Sequence, residues 1–261
     1  MTRAIILAGG LGTRLRPYTL VLPKPLVPIG DRPVLDIIVH QLRHYGFDRI
    51  TVATGYMAEL IEAFFGDGSA YGIPIDYYRE REPLGTVGAL AMIEDLDEDF
   101  LVINGDTLTD MDFMATLERH KESGAIATIA TRVREVEISL GVLRLEDRFQ
   151  PSRVTDYIEK PRIEYTASMG VYCFSPRIAS FIERDVRLDF PDLILRLISR
   201  GERVEGHPSE DYWMDIGRHE DYEAATEEFE SMRARLLPGD PGVAPYGNGL
   251  ATAALPEATA T

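Results

Sequence analysis

Short apolar runs alternate with amphipathic stretches through the first half of the chain. Runs rich in β-branched and apolar residues are typical of strands, whereas apolar residues three or four positions apart are typical of helices. This alternation indicates an α/β fold, Rossmann-like, in which a mainly parallel sheet carries helices on both faces. The pattern predicts strands at residues 4–8, 50–54, 76–78, 100–103 and 125–131, with helices between them at 34–45, 57–65, 86–95 and 113–122.

The second half of the chain shows a different pattern. From residue 238 onward Gly, Pro, Ala and Thr dominate, so residues 238–261 are predicted to be a disordered tail. Residues 1–237 are predicted to form one domain with two halves, 1–131 and 132–237. In the second half, strands are predicted at 142–145, 154–159 and 170–174, and helices near 176–184 and 191–199 and at 220–237.

The segment from Leu7 to Arg16 places three glycines and two arginines directly after the first predicted strand. Glycine allows the backbone to bend through positive φ and brings bare N–H groups close to an anion, and Arg14 adds a planar fork of donors that matches phosphate oxygens. Ligands bind at the carboxyl ends of the strands in sheets of this kind. The sequence therefore predicts a phosphate-binding loop here.

Two familiar phosphate loops do not fit this segment. The kinase-type P-loop needs Gly-Lys-Ser/Thr, but Gly12 is followed by Thr13 and Arg14. The dinucleotide fingerprint needs a third small residue where Leu15 stands, which also argues against a nucleotide-binding dehydrogenase. A purely structural turn is the remaining alternative, although such a turn has no use for Thr13, Arg14 and Arg16 beside the glycines.

A lysine enclosed by prolines follows the loop. Pro23 and Pro25 flank Lys24 and fix their own φ angles, so the backbone is predicted to be extended and to aim the ammonium group in one direction.

Composition narrows the function classes. The chain of 261 residues has 27 Lys and Arg against 43 Asp and Glu, a net charge of −16, which argues against a nucleic-acid partner. The single cysteine, Cys173, excludes an internal disulfide and a multi-cysteine metal site. No signal peptide and no apolar run long enough to span a bilayer is visible, so we expect a cytoplasmic protein without a membrane partner.

Five motifs in order carry a family resemblance. Leu-Ala-Gly-Gly-Leu-Gly-Thr-Arg-Leu-Arg-Pro followed by Pro-Lys-Pro resembles the signature of the sugar-1-phosphate nucleotidylyltransferases, which make NDP-sugars. The resemblance implies a nucleotide-diphospho-sugar transferase fold. Long relatives carry a β-helix domain after the catalytic domain, and this chain ends before one could form. We therefore expect any homo-oligomer to assemble through the catalytic domain. The other motifs are Glu-Pro-Leu-Gly-Thr at 82–86, Asn-Gly-Asp at 104–106, Glu-Lys-Pro at 159–161 and Trp-Met-Asp-Ile-Gly at 213–217.

The resemblance also implies a reaction and a set of roles. A nucleotidyl group passes from an NTP to a sugar 1-phosphate and pyrophosphate leaves, with Arg14, Lys24 and Asp106 as catalytic residues. Arg14 would hold the pyrophosphate, Lys24 would reach the α-phosphate, and Lys160 would grip the sugar phosphate. The nucleotide site would comprise Leu7, Ala8, Gly9, Gly10, Gly12, Thr13, Arg14, Glu80, Pro83 and Gly85. The sugar-phosphate site, in the second half, would comprise Gly141, Glu159, Lys160 and Ser168.

Repulsion between two phosphate-bearing substrates calls for a cation. Mg²⁺ prefers oxygen ligands and needs only one or two carboxylates. Asp106 and Asp215 each follow an apolar run and lie beside a glycine, and the family assigns both positions to the metal. For Asp106 taken alone, the alternative is a turn-forming aspartate after a strand, and the presence of Asp215 argues against it. No side-chain base is needed, because the attacking phosphate oxygen is already ionised at neutral pH.

Glu80 stands where related thymidylyltransferases carry a glutamine that pairs with the base. Guanine offers two adjacent donors that one carboxylate can accept, whereas uracil and thymine offer one donor between two acceptors. Glutamate therefore favours GTP, in keeping with the resemblance of residues 21–29 and 80–89 to mannose- and heptose-1-phosphate guanylyltransferases. A uridylyl- or thymidylyltransferase remains the alternative. Many relatives have Asn-Ala-Gly where this chain has Ser168-Met169-Gly170, so the identity of the sugar is not determined by the resemblance.

A non-catalytic regulatory relative that binds NDP-sugars is the alternative from another class. Such a protein would keep the nucleotide pocket but lose Arg14, Lys24 or one of the two aspartates. All four residues are present, which favours an enzyme.

Overall fold

The predicted alternation of strands and helices is present in the structure, a computed structural model that describes residues 1–80, 82 and 84–240. The strands are β1 (Arg3–Ala8), β2 (Pro28–Ile29), β3 (Arg32–Pro33), β4 (Arg49–Thr54), β5 (Ile75–Arg79), β6 (Phe100–Asn104), β7 (Thr107–Thr109), β8 (Ala127–Glu137), β9 (Val142–Leu145), β10 (Val154–Ile158), β11 (Arg162–Phe174), β12 (Val204–Pro208) and β13 (Trp213–Asp215). The helices are α1 (Val34–His44), α2 (Ala58–Phe65), α3 (Gly85–Gly88), α4 (Phe113–Ser123), α5 (Phe190–Ser199) and α6 (His219–Leu236).

Seven of these strands form the central sheet, in the order β12, β8, β11, β6, β1, β4, β5. Neighbours are parallel except at β11, which runs antiparallel to both β8 and β6. This confirms the predicted mainly parallel sheet. The antiparallel strand was not foreseen.

Helices cover both faces of the sheet. Along β1, Ala4 and Ile6 join a buried cluster that includes apolar residues of α1, α2, α4 and α6, whereas Ile5 joins a second cluster that includes residues of α3 and α5. Successive side chains of a strand point to opposite faces, so β1 separates two cores. Its carboxyl end opens toward the glycine loop. None of the helices in the described ranges combines the length and hydrophobicity needed to cross a lipid bilayer.

Several predicted elements differ in extent. The helix predicted at 86–95 is wrong beyond its first turns, because α3 has only four residues and a 3₁₀ turn at Ala89–Met92 follows it. Gly85 and Gly88 within α3 disfavour a longer helix. The helix predicted at 176–184 is a 3₁₀ turn at Pro176–Phe181. The strand predicted at 170–174 begins earlier, at Arg162, and that predicted at 125–131 continues to Glu137.

The backbone at Lys24 also differs from the expectation. Pro23 is extended, but Lys24–Leu26 forms a 3₁₀ turn closed by the bond from the Val27 N–H to the Lys24 carbonyl, 3.1 Å. Proline is compatible with such a turn because its missing N–H is not needed in the first positions. The prediction of an extended backbone was therefore wrong for Lys24 itself.

The boundary predicted between the two halves falls inside β8, so residues 131 and 132 belong to one strand. The two-part division stays a prediction. Only residues 238–240 of the predicted tail lie within the described residues, and the rest of that prediction lies outside them.

Candidate functional site

The loop after β1 is held by contacts that require glycine at position 12. Gly12 has φ of +59°, and a Cβ there would lie 2.8 Å from the Thr19 Cγ2 and 3.0 Å from the Lys24 Cβ. The Thr19 hydroxyl donates to the Gly12 carbonyl, 2.8 Å. Thr13–Leu15 then forms a 3₁₀ turn. The loop conformation thus depends on contacts with the segment that carries Lys24.

Two adjoining cavities of about 310 Å³ and 740 Å³ form a cleft at the carboxyl ends of β1, β4 and β6. They share Gly9, Gly10, Lys24, Glu80 and Asp106 in their linings. Pro83 lies outside the described residues. All other residues predicted to bind the nucleotide line one cavity or both: Leu7, Ala8, Gly9, Gly10, Gly12, Thr13, Arg14, Glu80 and Gly85.

Lys24, Arg14 and Asp106 line this cleft, and Asp215 lies next to Gly217 in its wall. The Lys24 ammonium forms an ion pair with the Asp106 carboxylate. The Ile216 N–H donates to the Asp106 carbonyl, 3.0 Å, which joins the loops that carry the two aspartates. A Cβ at Gly217 would lie 3.1 Å from the Asp215 Oδ2 and 3.6 Å from the Arg14 Nη2. Arg14 and Asp215 therefore face the same small glycine.

The pKa of Asp215 is affected by burial and by its charged neighbours. Although part of the residue is accessible to solvent, loss of hydration raises the pKa of its carboxyl, and the negative charge of Asp106 raises it further. Lys24 and Arg14 act in the opposite direction. A carboxylate whose ionisation is disfavoured by a neighbouring carboxylate is a place where a bound cation would be stabilised.

The donor set suits magnesium in kind. Asp106 and Asp215 offer oxygen ligands, which Mg²⁺ prefers, and Mg²⁺ commonly keeps several waters beside one or two carboxylates. Within the described ranges, no three or more His, Cys, Asp or Glu side chains gather as a metal cage would require. Asp106 and Asp215 would therefore suit an Mg²⁺ that keeps several waters beside these two carboxylates.

Glu80 faces the cleft from the end of β5. Its backbone N–H donates to the Thr54 carbonyl, 2.9 Å, which extends the pairing of β5 with β4. A Cβ at Gly9 would lie 3.1 Å from the Glu80 Oε2, so the carboxylate packs against the glycine loop. Burial raises the pKa of this carboxyl, an effect partly offset by the backbone N–H of Leu84. Glu80 is thus half-buried in the cavity lining.

The residues predicted to bind the sugar phosphate lie apart from the lining of these two cavities. Tyr157 donates from its hydroxyl to the Glu159 Oε2, 2.9 Å. A Cβ at Gly141 would lie 3.1 Å from that same oxygen. Lys160 has a φ of +45° in the exposed turn after β10. The structure therefore groups Gly141 with Glu159, whereas Lys160 is not among the described residues that line the cleft.

Ser168 is hydrogen-bonded to a buried tyrosine, Tyr172. The Ser168 hydroxyl donates to the Tyr172 Oη, 3.1 Å. Burial raises the pKa of the Tyr172 hydroxyl, and the charges of Asp106 and Asp215 add to the shift.

Sequence reasoning missed several residues of the cleft. Asn104 and Thr86 belong to the motifs Asn-Gly-Asp and Glu-Pro-Leu-Gly-Thr, so closer attention to those motifs could have found them. Asp189 lines the smaller cavity and Tyr56 and Arg187 line the larger one. These three lie in no motif that the sequence offered, and their proximity depends on the tertiary fold.

Comparisons with known proteins identify the family of the chain. A family model described as Nucleotidyl transferase covers residues 3–232. The UTP–glucose-1-phosphate uridylyltransferase of Synechocystis sp. is 35% identical over 240 residues, which are 84% of this chain and 61% of that protein. The D-glycero-alpha-D-manno-heptose 1-phosphate guanylyltransferase of Aneurinibacillus thermoaerophilus is 36% identical over 230 residues, covering 87% of this chain and 98% of that protein.

A solved structure extends the likeness to the fold. HddC from Yersinia pseudotuberculosis, complexed with GMP-PN, superposes with a TM-score of 0.66 at 30% identity, over 88% of this chain and all of the other. The present chain nevertheless spans less than two thirds of the length of the first curated relatives it matches.

Proposed function

Because the chain belongs to the nucleotidyl transferase family, we propose that it transfers a nucleotidyl group from an NTP to a sugar 1-phosphate and releases pyrophosphate. The observation that carries this proposal is the convergence of Arg14 and Lys24 with Asp106 and Asp215 beside a glycine loop. A regulatory NDP-sugar-binding protein would have no need of this cluster. We also expect the enzyme to be cytoplasmic and to act without nucleic acid or membrane.

The reaction follows from the charges in the cleft. An oxygen of the sugar phosphate forms a bond to the α-phosphorus of the NTP, and the bond from that phosphorus to the bridging oxygen breaks, so pyrophosphate leaves with the electron pair. Arg14 holds the pyrophosphate and Lys24 stabilises charge on the α-phosphate. No base is required, because the attacking oxygen carries no proton at neutral pH. The residues act by alignment and charge stabilisation.

Asp106 and Asp215 would hold the Mg²⁺ that this reaction implies. When bound, the ion would supply positive charge that offsets the repulsion between the two phosphate-bearing substrates. Lys24 and Arg14 limit the negative charge of the two carboxylates.

Glu80 supports GTP as the nucleotide. Its carboxylate lies in the cavity lining beside Gly9 and can accept the N1–H and N2–H₂ donors of guanine together. The likeness to the Aneurinibacillus guanylyltransferase and to HddC with GMP-PN supports the same choice. The likeness to the Synechocystis uridylyltransferase supports the second candidate, a uridylyltransferase.

The sugar phosphate would be bound by Gly141, Glu159, Lys160 and Ser168. Glu159 would accept sugar hydroxyl groups, and Lys160 would pair with the phosphate. Ser168, which is hydrogen-bonded to the Tyr172 hydroxyl, would contact the sugar.

A substrate matrix tests this function. Purified protein with Mg²⁺ is mixed with GTP, UTP or dTTP and with mannose, glucose or heptose 1-phosphates, and pyrophosphate release and the product mass are recorded. We expect release only where NTP and sugar phosphate are both present, fastest with GTP, and its loss in Arg14→Ala. A folded protein that releases no pyrophosphate with any pair would contradict the proposal.

A further inference from the structure

Two distant segments are joined at the wall of the smaller cavity. Residues 84–88 precede β6, and residues 186–190 lead into α5. Four hydrogen bonds connect them: Leu188 N–H to the Leu84 carbonyl, 2.9 Å; Val87 N–H to the Leu188 carbonyl, 3.1 Å; Thr86 N–H to the Asp189 Oδ1, 3.0 Å; and Phe190 N–H to the Thr86 Oγ1, 2.8 Å. The last two form a reciprocal pair between Thr86 and the Asp189–Phe190 step.

The two segments pack so closely that position 85 requires glycine. Gly85 has φ of +80°, and a Cβ there would lie 2.5 Å from the Leu188 carbonyl oxygen and 2.8 Å from the Asp189 Oδ1. No side chain fits in that space. Gly85, Thr86 and Asp189 all line the smaller cavity, together with Glu80. The shape of the nucleotide pocket on this side therefore depends on the segment that ends at Asp189.

Asp189 occupies the N-cap position of α5 without capping it. An aspartate at this position ordinarily accepts an N–H of the first helical turn, as Asp112 does at α4 by accepting the Ala115 N–H, 2.9 Å. The Asp189 side chain makes no such bond, and its Oδ1 accepts the Thr86 N–H across the cavity wall. The Asp189 carboxylate therefore binds a residue of the cavity wall and does not cap α5.

Phe190, the residue after Asp189, packs against Tyr172. The Phe190 ring stacks on Tyr172, with centroids 3.8 Å apart and planes at 13°. Tyr172 in turn bonds Ser168. Two consecutive residues thus contact the wall of the smaller cavity and the tyrosine that is hydrogen-bonded to Ser168, a proposed sugar-binding residue.

We propose that Asp189 is a positioning residue that holds the Gly85–Thr86 turn against the bound nucleotide, an inference that rests on the proposed function. It acts through the Thr86 N–H. Loss of this acceptor removes the hydrogen bond that holds the turn in place, so the turn is released and nucleotide affinity falls. An acceptor of similar shape, charged or neutral, restores it.

Three variants test the role by titration with GTP alone, without sugar phosphate. Asp189→Ala should weaken GTP binding roughly tenfold, the effect expected for one lost hydrogen bond to a charged group. Asp189→Asn should bind nearly like wild type, because an amide oxygen can accept the same N–H. Asp192→Ala, which removes an exposed acid from the first turn of the same helix, should leave binding unchanged.

A second pair of variants guards against misfolding of Asp189→Ala. Thr86→Val removes the acceptor for the Phe190 N–H and should also weaken GTP binding, whereas Thr86→Ser keeps the hydroxyl and should not. Wild-type affinity in Asp189→Ala or Thr86→Val, or equal loss in Asp189→Asn and Asp189→Ala, would overturn the inference. Binding is measured without turnover, so weakened GTP binding in a protein that makes no NDP-sugar would overturn the proposed function and support the role of Asp189.

Discussion

Lys24 and Asp106 form an ion pair across the cleft although 82 positions separate them in the chain. Their side chains are only 12% and 22% exposed, so water solvates the two charges poorly and the ion pair does much to stabilise each of them. Lys24 comes from the turn that packs against Gly12, and Asp106 follows β6. The pairing ties the phosphate loop to the proposed metal ligand.

The pairing predicts non-additive effects. Lys24→Met and Asp106→Asn should each lower kcat/KM by roughly a hundredfold or more, because each removes charge stabilisation from the reacting phosphates. The double variant should lose much less than the product of the two single losses, since the residues act as a unit. A double-mutant cycle on kcat/KM measures this, and strictly multiplicative losses would show that the two residues act independently.

The second aspartate gives a prediction about metal. Asp215→Asn should reduce turnover by several orders of magnitude with the fold unchanged, because a neutral amide is a much poorer Mg²⁺ ligand. EDTA should abolish activity, and excess Mg²⁺ should restore it. Asp97→Asn, an exposed aspartate near the opposite end of β6, serves as the control and should be fully active. Full activity of Asp215→Asn would remove this residue from the metal site.

The two phosphate sites can be separated by kinetics. Arg14→Ala should impair use of the NTP, because Arg14 lies in the cleft beside Gly217. Lys160→Ala should mainly raise the KM for sugar 1-phosphate, since it removes a cation from a different anion. Steady-state kinetics with each substrate varied in turn distinguishes the two. Identical effects of both substitutions on both substrates would contradict this division.

The base preference depends on one carboxylate. Glu80→Gln should lower the preference for GTP over dTTP by roughly ten- to a hundredfold, which corresponds to ~1–3 kcal/mol for a mismatched buried polar group. Burial raises the pKa of Glu80, so the wild-type preference should weaken as pH falls toward that pKa, because a protonated carboxyl is a poorer acceptor for the two donors. Ratios of kcat/KM measured from neutral to acidic pH check both effects. An unchanged ratio in Glu80→Gln would mean that backbone groups of residues 7–9 select the base.

Much of the fold followed from local patterns. The strands that became β1, β4 and β6 are buried on both faces, so their apolar runs were nearly continuous and unambiguous. The short strands β7 and β13 were missed because three residues carry too little periodicity to be recognised. They nevertheless matter, since their pairing brings Asp215 beside Thr107 and hence close to Asp106.

Some residues of the candidate site could likewise be predicted from local patterns, whereas others could not. Gly12, Arg14 and Lys24 stood in one local motif, and their chemistry could be inferred from residue type and spacing. Asp189 could not be found, because its partner, Thr86, lies 103 positions away and only the packing of α3 against the segment before α5 joins them. Contacts of this range depend on the assembled sheet.

The fate of the nucleotide phosphates tests the central claim most directly. The protein is incubated with Mg²⁺, a sugar 1-phosphate accepted in the substrate matrix, and GTP labelled with radioactive phosphorus at either the α or the γ position. Nucleotidyl transfer predicts that the α label enters a sugar-containing product and the γ label enters pyrophosphate, with neither occurring without the sugar phosphate. Appearance of the γ label in the sugar product, or release of orthophosphate alone, would contradict the account.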